Sequence, residues 1–588
     1  MSQQTDFEEV IPGTRRLFDE NGNTLPGDEH LLKHGDIVLV PQPTESPNDP
    51  LNWSNARKIW HSFLVLFVVG LTAATSNNAG SGADGVGEEF GIGYDVFNTG
   101  AGVLFIGIGY WCFLSSPAVH LYGRRLLYLI GMLFLVFGDV WYARLDSVAD
   151  TVWCQLFVGA SESVAEAVVQ LSLLDIWFEH QNGTSLGMYT LATAIGTYLG
   201  PLVGNYVAGN LGWRWIGWLG ALFGGGTFIL LYFGLEETEF QRDRYLINRG
   251  DQYLVDGAPV HEKTMQHASD GGDADAEKIA ANHENSTTSS DEHKDGMVQD
   301  SGDKEKHPTR EERLPSEVMR HRLSASYSKP KTYLERIRLI TPAPNLQGFG
   351  FKQFVNRLWH TMRVFTFPAV WYAGLQWGGQ NIILTFQLTV CDDNWYGPPW
   401  NYGNHAVGNM NIPCLIGSII GCFYGGWCSD KFMIYMTKRN KGVMEAEYRL
   451  YLMFLCMAIF PIGVWLFGIG SARGWAWPGP YVGLGFIGFG YGCAGDLSIT
   501  YLADSYPDMI LEGMVGVATI NNTIALIFTF TASAWLATSL ENCFIELGVL
   551  SFLILGSSLP MIIWGKKWRR WTRGRYMKFL EIRDGFSK

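Results

Sequence analysis

The chain has 588 residues, of which 47% are hydrophobic and 14% aromatic, yet its mean hydropathy is only +0.05 because apolar stretches alternate with polar ones. This composition excludes a single soluble domain, since the charged fraction of 17% lies below the roughly 25% that such domains carry. The net charge of −13 argues against nucleic acid as a partner, because nucleic acid would require a basic surface.

Residues 1–57 are polar, and we predict a cytoplasmic N-terminal tail without a cleavable signal peptide. Twelve apolar runs follow, each long enough to cross a hydrocarbon layer of roughly 30 Å. We number them as spans 1 to 12, and they lie at 60–80, 97–119, 126–144, 152–175, 186–209, 215–234, 364–390, 405–428, 449–470, 480–503, 513–537 and 543–564. The sequence therefore predicts an all-α membrane protein with twelve transmembrane helices.

A long polar break divides the spans into two sets of six, predicted as helical bundles at 58–235 and 356–565. The break, 236–355, includes a run almost without aromatic or branched apolar residues, which cannot offset the entropy of ordering. We expect a mostly disordered cytoplasmic loop that ends near a helix lying on the membrane surface, at 350–364. Residues 566–588 are predicted to form a basic cytoplasmic tail.

Basic residues indicate the orientation of the spans. Arg124 and Arg125, the run 438–441 and the run 566–570 all fall on one side if the spans alternate, and that side is predicted to be the cytoplasm. Both termini and the central loop are then inside the cell.

An internal repeat is visible in spans 4 and 10. Four residues of span 4 match four of span 10 at one constant offset: Phe157, Gly159, Ala165 and Asp175 with Phe486, Gly488, Ala494 and Asp504. The match predicts two pseudo-symmetric six-helix halves, an arrangement in which substrate binds at the interface between the repeats.

The ionisable residues inside the spans are nearly all acids: Asp139, Glu162, Glu166, Asp175, Asp496 and Asp504. A charge near the bilayer centre is costly and needs a partner, so acids without internal bases indicate a cation or a proton. At about 1.5 Å per residue, Glu166 and Asp496 are expected near the midplane at matching depth. Glu162 lies one turn from Glu166 and completes a pair predicted to carry protons and bind cations.

Alternatives remain for several of these acids. Glu162 and Glu166 can instead fix helix packing through hydrogen bonds, and Asp139 is expected to be structural. At the cytoplasmic ends, we expect Asp175 to pair with Arg124 or Arg125, and Asp504 with Lys438 or Arg439. The predicted gating residues are Arg124, Arg125, Asp175, Asp430 and Asp504.

Span 7 carries amides and aromatic rings that suit ammonium groups, because aromatic faces attract cations and amide oxygens accept their hydrogen bonds. Tyr491 of span 10 aligns with Glu162 in the repeat and is expected to line the opposite wall, with packing as its alternative role. The predicted substrate-binding residues are Glu162, Glu166, Asp496, Gln376, Trp377, Gln380 and Tyr491. Nine scattered cysteines lack metal-ligand spacing, and neither a metal nor a cofactor is expected.

Three stretches of the chain contain family-specific motifs. The loops at 116–125 and 426–431 resemble the two loop motifs of the major facilitator superfamily, and 196–204 in span 5 resembles a motif of its drug/proton antiporter branches. The runs NTGAGVLFIGIG, PPWNYG and YPDMILEGMVG are similar to fungal high-affinity polyamine importers, a group also known for histidinol uptake. The resemblance implies the major facilitator fold and a plasma-membrane carrier that imports putrescine, spermidine or spermine with the proton motive force.

Two positions depart from the family patterns. His120 stands where the first loop motif usually has Asp, and Gln155 stands where drug/proton antiporters usually carry Arg, which disfavours antiport.

The combined prediction is a monomeric alternating-access importer of organic polycations. Motifs of soluble enzymes are absent from the sequence, so no enzymatic activity is expected. Two alternatives stay open: a multidrug/proton antiporter that exports cationic drugs, and a transporter-like polyamine receptor.

Overall fold

The computed structural model describes residues 46–240, 330–343 and 345–586, together with 11–16 and short pieces between 33 and 44. The disorder predicted for the central loop falls mostly on 241–329, which lie outside the described residues. Both sets of spans, within Asn48–Phe240 and Lys331–Lys588, belong to one compact unit. A second unit, Thr44–Pro47 with Gln241–Pro330, consists almost entirely of residues that are not described.

The N-terminal half contains spans 1 to 6. Span 1 starts where the Ser54 side chain accepts a hydrogen bond from the Arg57 N–H, and span 4 starts with a capping box formed by Ser147 and Asp150. The six spans are Asn55–Asn77, Tyr94–Tyr122, Arg124–Ala143, Val148–Ile176, Asn182–Leu211 and Arg214–Gly234. A short helix, Ala83–Phe90, separates spans 1 and 2.

The C-terminal half contains spans 7 to 12, which are Pro368–Asp393, Asn404–Arg439, Met453–Arg473, Gly479–Ser505, Ile510–Leu536 and Leu540–Gly556. After span 12 the chain continues as a helix over Ser558–Gly585, far beyond the predicted apolar run. Short 3₁₀ turns lie at Pro50–Asn52, Ala79–Gly82, Glu179–Gln181, Met362–Thr366, Ala446–Leu452 and Pro507–Met509.

Two short helices, Tyr333–Arg336 and Phe351–Thr361, precede span 7. The longer one exposes its apolar side chains Phe351 and Trp359 and buries His360. Apolar side chains on the outer face and a polar side chain on the inner face suit a helix whose outer face contacts lipid.

Strands are few among the described residues. Thr14–Arg16 pairs antiparallel with Val443–Glu445, and Lys33–His34 pairs with Ile37–Val38.

Eleven of the described helices are long and apolar enough to cross a membrane. The twelfth, span 7, is less apolar because it buries four amide side chains, those of Gln376, Gln380, Asn381 and Gln387. The predicted twelve-helix fold is thereby confirmed.

Packing repeats between the halves. Span 1 packs on span 5, span 2 on span 4, and span 3 on spans 4 and 6; the same pairs recur with six added to each number. The halves meet where span 2 packs on span 11 and where span 5 packs on span 8. These two contacts are equivalent, because spans 2 and 5 of the first half correspond to spans 8 and 11 of the second. The structure thus confirms the two pseudo-symmetric halves.

Small residues allow these close contacts. Gly159 of span 4 packs against Gly107 of span 2, and its repeat equivalent Gly488 packs against Cys414 of span 8. A Cβ at either glycine would collide with the neighbouring backbone, as expected where helices associate through small residues in lipid.

Candidate functional site

Glu162 and Glu166 lie on span 4 near the interface between the halves. Glu166 belongs to a π-helical turn, Ala165–Val169, a distortion that often occurs at functional sites. Its side chain is buried, whereas Glu162 is half-buried and accepts a hydrogen bond from the Ser76 Oγ of span 1.

Buried aromatic rings surround this pair. Trp377 of span 7 lies beside the Glu166 carboxylate, and its ring centroid lies 5.4 Å from that of Tyr491 on span 10. The Tyr491 ring lies 5.8 Å from that of Tyr198 on span 5, and Tyr189 of span 5 also faces Glu166. We call this group the acid–aromatic cluster: Glu162, Glu166, Tyr189, Tyr198, Trp377 and Tyr491.

The cluster carries two carboxyls and no base. Among the described residues, the charged group that faces Glu166 is Glu162, and the remaining neighbours are neutral. Aromatic faces attract cations most strongly where water is excluded, so the arrangement suits an organic cation. Since spans 4 and 5 come from one half and spans 7 and 10 from the other, a ligand in the cluster would contact both halves.

The structure brings together four of the seven predicted substrate-binding residues: Glu162, Glu166, Trp377 and Tyr491. Tyr189 and Tyr198 were not identified from the sequence. The signal that could have found them is the presence of two tyrosines within one span that also carries polar residues.

Gln376 is placed differently from the prediction. Its Nε2 donates hydrogen bonds to the Ile554 carbonyl oxygen at 2.7 Å and to the Ser557 Oγ at 2.9 Å, because this side of span 7 faces span 12. Gln380 follows one turn later on the same side and is also buried. The Gln376 amide therefore lines the contact with span 12 and not the wall that carries Trp377, and the predicted role of Gln380 in substrate binding stays a prediction.

Asp496 of span 10 has a different set of neighbours from the glutamate pair. Its side chain is fully buried between Gly187 of span 5 and Gly425 and Gly426 of span 8. Its charged neighbours are Arg449 and Asp430. Span 10 thus turns Asp496 towards spans 5 and 8, and the predicted joint role of Asp496 and Glu166 at matching depth stays a prediction.

One end of the spans, which we call the basic end because it holds Arg124, Lys438 and Arg449, is closed by Asp430. From span 8, this carboxylate accepts hydrogen bonds at the first turn of span 5 in the opposite half: from the Gly183 N–H at 3.1 Å, the Thr184 N–H at 2.7 Å and the Thr184 Oγ1 at 2.8 Å. The free N–H groups of a helix start favour such a carboxylate.

Arg449 links Asp430 to Asp504. Its Nη1 donates to Asp430 Oδ1 at 2.9 Å and its Nε donates to Asp504 Oδ2, while the guanidinium is almost fully buried. The prediction that Asp504 pairs with Lys438 or Arg439 is therefore wrong. Arg449 was missed because the sequence places it at the start of span 9, whereas the 3₁₀ turn Ala446–Leu452 directs it inward.

The two arginines of the first loop motif have different partners. Arg124 forms an ion pair with Asp175, one of the two pairings expected. Arg125 instead donates hydrogen bonds to the carbonyl oxygens of Tyr232 and Ile337, so it anchors the backbone.

His120, which departs from the first loop motif, faces span 11. Its Nε2 lies 3.5 Å from Glu512 Oε1, so this position retains a polar contact across the halves.

The opposite end, which we call the acidic end because it holds Asp84, Asp392 and Glu541, is closed as well. The Tyr94 Oη donates to Asp392 Oδ2 at 3.3 Å, joining spans 2 and 7. Beside it, the Asn98 Nδ2 donates to the Ser533 Oγ of span 11 at 2.7 Å. Hydrogen bonds between the halves therefore enclose the acid–aromatic cluster from both ends.

Comparisons with known proteins agree with this architecture. The family model described as Major Facilitator Superfamily matches residues 63–532. An uncharacterized MFS-type transporter of Schizosaccharomyces pombe is 45% identical over 579 residues, covering 98% of this chain and 96% of the relative. Protein HOL1 of Saccharomyces cerevisiae is 44% identical over 587 residues, covering 99% of each chain.

Among solved structures, the proton:xylose symporter XylE shares the fold with a TM-score of 0.54 at 12% identity. The match covers 87% of this chain and 96% of XylE.

Proposed function

Because this chain belongs to the Major Facilitator Superfamily, whose members are secondary transporters, we propose that it imports organic polycations such as putrescine, spermidine, spermine and histidinol-like cations. The proton motive force drives uptake, and the protein works in the plasma membrane with both termini in the cytoplasm. The observation that carries this proposal is the acid–aromatic cluster, with its two carboxyls and no base, at the interface between the halves.

The charge of the cluster supports a substrate with more than one ammonium group. Each ammonium that reaches Glu162 or Glu166 gains a charge-assisted hydrogen bond, worth roughly 1.5–3 kcal/mol. A desolvated cation over Trp377 or Tyr491 adds about 2 kcal/mol. A neutral or anionic solute gains neither contribution and leaves the buried carboxyls without a partner.

The membrane potential supports import. Moving one positive charge into a cell that is negative inside releases about 2.3 kcal/mol for each 100 mV. A substrate with two to four ammonium groups is therefore drawn inward, and its export would oppose this gradient.

The test is uptake of labelled spermidine by cells that lack their own polyamine carriers. We expect saturable uptake that a protonophore abolishes and that Glu166→Gln removes, while Asp139→Asn, a matched loss of a buried acid on span 3, retains it. Full uptake by a well-expressed Glu166→Gln variant would contradict the proposal.

A second candidate function, export of cationic drugs, is favoured by the span 5 motif at 196–204. In the structure Gly196 and Gly200 of this motif pack against span 1, and a Cβ at Gly200 would lie 2.7 Å from the Ala74 Cα. Close helix packing of this kind serves transport in either direction. Accumulation of a cationic dye, but not of spermidine, in inside-out vesicles under a proton gradient would favour the exporter.

A further inference from the structure

Asp496 is a buried acid with an incomplete set of hydrogen-bond donors. Its exposed fraction is 0%, and the Thr500 Oγ1 donates to its Oδ1 at 3.1 Å. Its Oδ2 has no hydrogen-bond partner among the described residues. An ionised carboxylate normally gathers several donors when it is buried, so this environment suits the neutral acid.

Three glycines enclose the unpartnered oxygen. A Cβ added at Gly187 would lie 2.9 Å from Asp496 Oδ2, and one added at Gly425 or Gly426 would lie 3.1 Å from it. The latter two belong to the π-helical turn Tyr424–Cys428 of span 8, whereas Gly187 belongs to span 5 in the opposite half. The enclosure therefore exists only while spans 5, 8 and 10 are packed together.

The charges around Asp496 do not balance an ionised carboxylate. Among the described residues, the base that faces it is Arg449, which already pairs with Asp430 and Asp504. The other titratable groups near it in this part of the chain are the thiols of Cys422 on span 8 and Cys493 on span 10, both buried. One guanidinium thus faces three carboxyls, and Asp496 is the one that it does not contact.

We propose that Asp496 carries the coupled proton, separately from the substrate held by Glu162 and Glu166; this inference rests on the proposed function as an importer. While the basic end is closed, the glycine enclosure holds the protonated acid. When the halves part there, Gly187 withdraws and water reaches Oδ2. The O–H bond of the acid then breaks, the proton passes to water, and the carboxylate remains.

The position of Trp377 links this proton to the substrate. The indole packs directly on Gly495, the residue before Asp496, and its other side faces Glu166. The substrate cluster and the proton-carrying acid therefore share one wall. In import, the proton enters from the cluster side while the acidic end is open, and it leaves at the basic end.

The test uses Asp496→Asn, which has nearly the same shape as the protonated acid. In proteoliposomes, we expect this variant to bind spermidine with wild-type affinity and to exchange labelled for unlabelled spermidine. Spermidine-dependent proton entry, followed with a pH-sensitive dye, should fall to the level of empty liposomes, and accumulation driven by a proton gradient should be lost. Glu166→Gln is the matched control and should bind spermidine with a roughly ten- to hundred-fold higher Kd.

The outcomes separate the two proposals. If the wild type shows no spermidine-dependent proton entry, the proposed function fails. If the wild type and Asp496→Asn both show spermidine-dependent proton entry, only the proposed role of Asp496 is overturned. Loss of spermidine binding by Asp496→Asn would also overturn that role. If Asp496→Asn fails to fold, Gly187→Ala is the variant that decides. Its added Cβ should prevent the three glycines from closing around Asp496, so the pH profile of uptake should shift while spermidine binding persists. An unshifted profile would refute the inference.

Discussion

At the residue scale, the chemistry of the candidate site depends on two carboxyls that face no base in the described part of the chain. Glu166 meets Trp377, Glu162 meets Ser76, and Tyr491 stands between the two halves. Each of these contacts comes from a different span, so the site exists only when the helices are assembled.

Removing one of these carboxyl charges should weaken substrate binding. Glu166→Gln loses a charge-assisted hydrogen bond worth roughly 1.5–3 kcal/mol, which corresponds to a roughly ten- to hundred-fold higher Kd for spermidine. Equilibrium binding to purified protein measures the effect. Asp139→Asn should bind normally, because Asp139 packs against Gly220 of span 6 and not in the cluster.

Affinity should also rise with the number of ammonium groups on the substrate. Spermidine and putrescine should compete with each other, histidinol should compete more weakly, and neutral or anionic amino acids should not compete, because uncompensated buried carboxyls offer them nothing. Acetylation of both ends of spermidine should lower its affinity. A competition series in which the diacetylated form binds equally well would refute the charge-based recognition.

At the scale of elements, the basic end is held by Arg449 between two carboxylates, and one of these, Asp430, also caps the first turn of span 5. Residues of span 8, of span 10 and of the turn before span 9 thus form one network. Asp430 connects this network to the opposite half. Buried ion pairs of this kind are strongly destabilising when one partner is removed.

Arg449→Met should therefore lower the thermal stability of the detergent-purified protein, with a cost of about 3–5 kcal/mol. Adding Asp430→Asn and Asp504→Asn should restore part of the loss, since no buried charge is then left without a partner. A fluorescence-based melting experiment measures both variants. Equal stability of Arg449→Met and the wild type would contradict the role of this ion-pair network.

The helix Phe351–Thr361 should respond to pH through His360. Burial lowers the pKa of this imidazole to about 4, and its ring stacks on Phe579 with centroids 4.1 Å apart. Because an exposed histidine has a pKa near 6.5, the undocked helix binds more protons, and docking should weaken as the pH falls from about 6.5 towards 4. Hydrogen exchange of this helix measures the effect, and His360→Phe should abolish the pH dependence.

At the scale of the whole molecule, both ends of the interface between the halves are closed around the cluster. Hydrogen bonds of Asp430 close the basic end, and those of Tyr94 and Asn98 close the acidic end. Alternating access then requires one set of contacts to break at a time. The residues named in both sets lie outside the segment 260–312.

Deleting residues 260–312 should accordingly leave the Kd for spermidine unchanged, because the composition of this segment is that of a solvated chain. The measurement is binding by a deletion variant that reaches the membrane. Loss of binding in such a variant would show that the segment contributes to the site.

The sequence by itself determined the features that are local along the chain. The spans follow from runs of apolar residues, the spacing of Glu162 and Glu166 follows from one helix, and the Arg124–Asp175 pair was one of two pairings expected at neighbouring helix ends.

Only the tertiary structure decided which faces of the helices meet. It turned Gln376 towards span 12 and Asp496 towards spans 5 and 8. It also inserted Arg449 between Asp430 and Asp504, and it gathered Tyr189 and Tyr198 around the glutamates. In a soluble helix an apolar stripe marks the buried face, but a transmembrane helix is apolar on the lipid side as well. The rotation of each span is therefore set by packing with its neighbours, which the pattern of a single helix does not record.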